Sequence, residues 1–181
     1  MKFLVGLVIG LVAVPLCIAA YLQFGSLPVA TSDAPFPLEE RLVHLPLHAR
    51  IDRELVKKSP VEASPTNLEI GAHLYRQQCA GCHGLYGRPA GFAKYMYPQA
   101  PQLWEPHGDG VVGVSDDPPG ETYWKVANGI RLSGMPAFNH VLNQTEMWQV
   151  SLLLANADKP LPPGILTLLK QPIDFDPVAP Q

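Results

Sequence analysis

From Phe3 to Leu22 the chain runs for 20 residues without a charged side chain, and Lys2 is the only charged side chain before that run. As a helix rising ~1.5 Å per residue, such a run matches the ~30 Å hydrocarbon core of a bilayer. It can span. Its length exceeds the ~7–15 residues of a signal peptide's apolar centre, although Cys17-Ile18-Ala19 and Ile18-Ala19-Ala20 have the small residues of a cleavage site. Length therefore favours a retained anchor over a cleaved signal. The amino terminus and Lys2 carry the only positive charges before the run, which keeps the N-terminus cytoplasmic. With either outcome, everything after residue 22 lies on the outer face of the cytoplasmic membrane. Cys17, inside the run, reads as a small apolar residue, because the bulky Leu16 before it disfavours lipid attachment.

Beyond residue 22 the chain divides by composition into a linker (23–65), a well-mixed middle (66–158) and a proline-rich tail (159–181). The whole 181-residue chain has a formal net charge of −3 and no basic stripe, which excludes nucleic-acid binding. In the linker, Pro28, Pro35, Pro37, Pro46, Pro60 and Pro65 work against long helices and favour an extended tether. Leu38 to Lys58 mixes apolar and charged residues at roughly helical spacing, which predicts two short amphipathic pieces broken at Pro46. His44 and His48 have the four-residue spacing of a helical metal-binding pair, but the intervening Pro46 favours two unrelated surface histidines. In the tail, Ile165, Leu166, Leu168 and Leu169 form one apolar patch among prolines, suited to wrapping over a surface rather than to folding alone.

The middle reads as a small all-α domain. Thr66 with Glu69 makes a capping-box pattern, and Leu68, Ile70, Leu74 and Tyr75 carry helical periodicity up to Cys79. A second helix fits Glu121 to Asn128 with Gly129 as its stop, and a third starts near Asn143, with Glu146 placed to complete its cap. Between the first two, Gly84 to Pro118 shows no period, and a loop that long needs something to pack on. So few helical residues make a thin core, of a kind that commonly depends on an added element.

Cys79-Ala80-Gly81-Cys82-His83 supplies one. C-x-x-C-H is the pattern of covalent c-type haem attachment: two thiols at a helix end reach the two vinyl groups of one porphyrin, and the next residue, His83, is held beneath the iron. A redox dithiol would need a strand-then-helix setting, and a structural zinc would need two further ligands, for which only the scattered His107 and His140 offer themselves. For the sixth iron ligand the choice falls on Met135, in a loop stiffened by Gly134 and Pro136 directly after the second helix. His107 and His140 are its rivals, and Met96 is expected to pack instead.

With these residues the chain resembles the class I cytochromes c, in particular the membrane-anchored monohaem domains of cbb3-type oxidase and alcohol dehydrogenase cytochrome subunits. The resemblance covers about Thr66 to Asp158. It implies that Gly71 and Tyr75, eight and four residues before Cys79, let the first and last helices cross closely, against Trp148, Leu152 and Leu153. It also implies that Pro101-Gln102-Leu103 gives a carbonyl from Pro101 to His83 Nδ1–H and the Leu103 side chain to the haem face. The segment Tyr123 to Phe138 looks like the family's distal helix and methionine loop. Leu153 stands where many members carry tyrosine, and a lysine-rich rim is absent, which leaves partner identity open.

The implied fold is therefore a class I cytochrome c domain around one covalent haem c, preceded by a transmembrane helix. Cys79, Cys82, His83, Met135, Pro101, Leu103 and Arg131 would bind the cofactor, with His83 and Met135 on the iron and Arg131 as a propionate partner. With both axial positions filled, the expected role is electron transfer without catalysis, as a tethered shuttle or a subunit of a respiratory or dehydrogenase complex. A haem enzyme or sensor with a displaceable sixth ligand is the rival class. Partners would be redox donor and acceptor proteins at the membrane. With eight acidic and five basic residues from Thr66 to Asp158, they would dock through apolar contact rather than through a basic patch.

Overall fold

The computed structural model describes residues 2–108 and 110–173. The chain divides into two units between Leu42 and Val43. In the first, α1 (Lys2–Phe24) is one helix of 23 residues with Pro15 inside it and exposed side chains throughout. By length and composition it can cross a membrane.

Helix α2 (Glu39–Glu54) starts in the first unit and ends in the second. It is continuous through Pro46, so the expected break into two pieces does not occur. Tertiary contacts at its C-terminal end outweigh the proline. There Ile51 is buried, Glu54 accepts a 2.8 Å hydrogen bond from Trp124 Nε1, and the Arg50 guanidinium lies 5.7 Å from the Trp124 ring centre. At the other end the Glu39 carboxylate accepts from the Phe36 backbone N–H, in the turn before the helix, at 2.8 Å.

The second unit is built on α3 (Pro65–Gln78), α4 (Ala80–His83), α5 (Pro119–Asn128), α6 (Gln144–Leu154) and α7 (Pro163–Lys170). The cap of α3 lies two residues ahead of the predicted one at Thr66: the Ser64 side chain accepts from Asn67 N–H and Pro65 takes the first helical position, where its missing donor costs nothing. Helix α5 likewise starts at Pro119 and stops at Gly129, and α6 carries the full reciprocal capping box between Asn143 and Glu146. The interhelical contacts are close. A Cβ at Gly71 would collide with the backbone carbonyl of Gln149, so glycine alone permits the α3–α6 crossing. The Tyr123 ring stacks on Trp148 at 4.2 Å, joining α5 to α6.

The long connection from Gly84 to Pro118 holds a short 3₁₀ turn (Ala93–Tyr95) and an antiparallel pair of two-residue strands, β1 (Pro106–His107) and β2 (Val111–Val112). It packs by burying Leu85, Ala93, Ala100, Leu103 and Trp104.

In the tail, residues 163–170 form α7, and the apolar patch packs on the domain, with Ile165 and Leu169 joining the core around Tyr75, Trp104 and Leu153. From α3, Arg76 donates to the carbonyls of Leu168 (2.7 Å) and Pro172 (3.1 Å) and to that of Gln171, closing the C-terminal end of α7. The remainder of the tail, 174–181, lies outside the described residues.

Candidate haem-attachment site

The pentapeptide begins where α3 ends. Cys79 is the last residue held by α3, through its N–H to the Tyr75 carbonyl at 2.8 Å, and its own carbonyl accepts from Cys82 (3.1 Å) and His83 (3.0 Å) to start α4. Both cysteines are free thiols. Burial, with a smaller contribution from Cys82, pushes the Cys79 thiol up to about 12, and burial also raises Cys82. That direction is the opposite of the lowered thiol pKa that marks a redox dithiol. Among the described residues no three His, Cys, Asp or Glu side chains converge as a metal site, so nothing completes a zinc tetrad around them.

His83 Nδ1 lies 2.8 Å from the Pro101 carbonyl. A carbonyl can only accept, so Nδ1 carries the proton and Nε2 keeps its lone pair. Burial lowers the imidazole pKa below its ordinary value, partly offset by the Pro101 bond, which favours the neutral, donor-competent form. The backbone is held as firmly: Tyr75 Oη donates to the carbonyl of Gly84 at 2.7 Å and approaches that of His83 at 3.2 Å, and Leu103 N–H donates to the His83 carbonyl at 3.1 Å. Leu103 itself is buried in the main core cluster.

Gln102, between Pro101 and Leu103, does more than the sequence disclosed. Its Nε2 donates to the carbonyls of Cys82 (3.2 Å) and Ala100 (3.0 Å), and its Oε1 accepts from Ala90 N–H at 2.6 Å. One side chain thus cross-links the attachment turn to two parts of the loop. Nothing in the local pattern distinguishes such a glutamine from a solvated one. Gly84, at φ 75°, leaves space for it, because a Cβ there would come within 2.6 Å of Gln102 Oε1.

The Met135 loop is shaped from its base. Gly129 has φ 66° and ψ −178°, and a Cβ on it would approach Ala137 N, Pro136 C and Met135 O at 2.7–2.8 Å. Ile130 N–H donates to the Met135 carbonyl at 3.2 Å, Ser133 Oγ bonds both Ile130 O and Met135 N, and Phe138 N–H returns to Val126 O at 3.0 Å. Met135 packs on a second core cluster made of Val126, Ala127, Phe138, Leu142 and Met147. Leu74 of α3 touches both clusters and so links the attachment helix to the methionine loop. Met96 is half-buried, with its methyl group near Gly134. His107 Nε2 is engaged with the Gly113 carbonyl, while His140 and Arg131 are exposed.

Two free thiols three residues apart, a histidine with its distal nitrogen unprotonated and a methionine on a preformed loop are a donor set that fits a covalently held haem. Comparison with known families agrees: residues 66–152, just under half of the chain, match the family of cytochrome c oxidase, cbb3-type, subunit III. No curated protein and no solved structure matches the chain. Residues 66–152 are thus a class I monohaem cytochrome c domain of the cbb3 type, whose general business is haem-based electron transfer.

Proposed function

We propose that this chain binds one haem c through Cys79 and Cys82, ligates its iron with His83 and Met135, and carries single electrons between redox proteins at the outer face of a membrane to which α1 tethers it. When bound, that haem supplies a one-electron iron couple. The chain's own residues keep the ligand set constant. Pro101 fixes the His83 tautomer and strengthens its donor nitrogen, Leu103 lends apolar surface, and Gly129 with Ser133 shapes the Met135 loop. With His83 and Met135 both holding the iron, its change of oxidation state would need little rearrangement, and a thioether ligand would favour the reduced state. Arg131, on the same loop, is free to meet a propionate. The observation that carries this proposal is the His83–Pro101 hydrogen bond, because it prepares Nε2 as a ligand and leaves it no proton to donate.

The matched family is a subunit of a membrane oxidase, which supports placing this chain as a subunit or redox partner of a membrane complex. Copurification from membranes in mild detergent tests that placement: partner proteins that bear redox centres and migrate with the chain support it, and migration alone leaves a tethered shuttle. The site is tested by ligand access. The native, reduced protein should refuse CO, whereas Met135→Ala should retain its haem through acidified organic extraction, bind CO readily and show a lower reduction potential. Ready CO binding by the native protein would instead establish the haem enzyme or sensor class. Changing both Cys79 and Cys82 to alanine should abolish covalent attachment.

A further inference from the structure

We propose that His44 and His48 form a binding site for a divalent transition-metal ion of the nickel–copper–zinc group, carried on α2 across Pro46. The proline between them argues against a pair only if it breaks the helix. It does not: α2 runs from Glu39 to Glu54 with Pro46 inside it, so the two histidines share one face at i and i+4. Their ring centres are 5.5 Å apart, with the planes tilted by 40°.

That separation suits shared coordination. A metal–nitrogen bond of ~2.0–2.1 Å puts each ring centre about 3.2 Å from the ion, and ligand angles of about 90–110° then put the two centres about 4.5–5.2 Å apart. Side-chain rotation within normal rotamer wells closes the difference. Both rings are exposed, so water can complete the coordination shell, and neither has a hydrogen-bond or ion-pair partner to give up among the described residues. Because no group of three His, Cys, Asp or Glu side chains converges among the described residues, the coordination is open and exchangeable rather than a closed structural site. Imidazole nitrogens select nickel, copper and zinc over calcium and magnesium, which prefer oxygen.

The ion would also act on the helix. Pro46 deprives the carbonyl four residues before it of its helical donor, which makes this turn the weakest point of α2. An ion bridging positions 44 and 48 staples that turn, and by mass action it stabilises the helical form over any broken one. Metal binding therefore stiffens α2 around Pro46.

The test is titration of the full-length protein in detergent with Zn(II) by calorimetry, and of its oxidised form with Cu(II) by electron paramagnetic resonance. Three proteins are compared: the wild type, the double variant His44→Asn with His48→Asn, and a shifted pair, His48→Ala with Ala49→His. The shifted pair keeps two imidazoles but turns one by about 100° around the helix. Wild type should bind one Zn(II) at least about tenfold more tightly than either variant, and only the wild-type Cu(II) spectrum should show this pair's nitrogen couplings. Circular dichroism and thermal unfolding without metal should be alike in all three. Equal Zn(II) affinity and stoichiometry in wild type and double variant would assign the binding to His73, His107 or His140 and overturn the proposal. Equal binding by the shifted pair would overturn it as well, since spacing would then be irrelevant.

Discussion

Gly129 occupies a backbone region closed to residues with a side chain, and a Cβ there would come within 2.7–2.8 Å of Ala137 N, Pro136 C and Met135 O. Gly129→Ala should cost about 1–3 kcal/mol in backbone strain alone. Because the collision falls on Met135, Pro136 and Ala137, the same change should also admit CO to the reduced protein. Denaturant unfolding and CO titration read the two effects; a variant with lost stability and no CO access would mean that the loop relaxes elsewhere. The candidate attachment residues stand out in the sequence because their pattern is local: Cys79, Cys82 and His83 are fixed relative to one another by one turn of chain. Gly129 was legible only as a helix stop. Gln102 was invisible, because its three partners come from residues 2 to 20 positions away and only folding assembles them.

Among the elements, α3, α5 and α6 could be read from periodicity and caps, since each signal lies within one helix. The continuity of α2 could not, because Pro46 is a local breaker whose cost is offset by contacts from Ile51, Glu54 and Arg50 to other parts of the unit. That docking is pH-dependent. The Trp124 hydrogen bond, and then that from Arg50, hold the Glu54 carboxyl below its ordinary range. A carboxyl depressed on folding stabilises above its unfolded pKa, and the contribution is lost as pH falls through the folded value. The Trp124 indole N–H resonance should therefore shift as acid protonates Glu54, below the ordinary carboxylate range. With Glu54→Gln that acid-induced shift should be absent. The α3–α6 crossing makes a sterner prediction: Gly71→Ala places a methyl group against a backbone carbonyl that cannot swing aside, and should destabilise by at least about 1–3 kcal/mol in denaturant unfolding.

At the scale of the molecule, the helical domain extends past the family match at residue 152 to include α7. Leu169 is fully buried in the core shared with Tyr75 and Trp104, so Leu169→Ala should cost about 2–5 kcal/mol and lower the melting temperature measured by circular dichroism. Little or no loss would show α7 to be a peripheral strap. The apolar patch of α7 could be read in the sequence. Its partner could not, because Arg76 lies 92 residues before the first carbonyl it bonds.

Ile173, just beyond α7, shares with Ala80, Gly81 and Gly84 the lining of a small surface pocket beside the attachment turn. Synthesis runs from the N-terminus, so Cys79 to His83 leave the ribosome well before the residues that flank them from the far end. A growing chain thus presents its thiols with that side still bare. Ile173 thus completes one wall of that pocket only after the two thiols have been made.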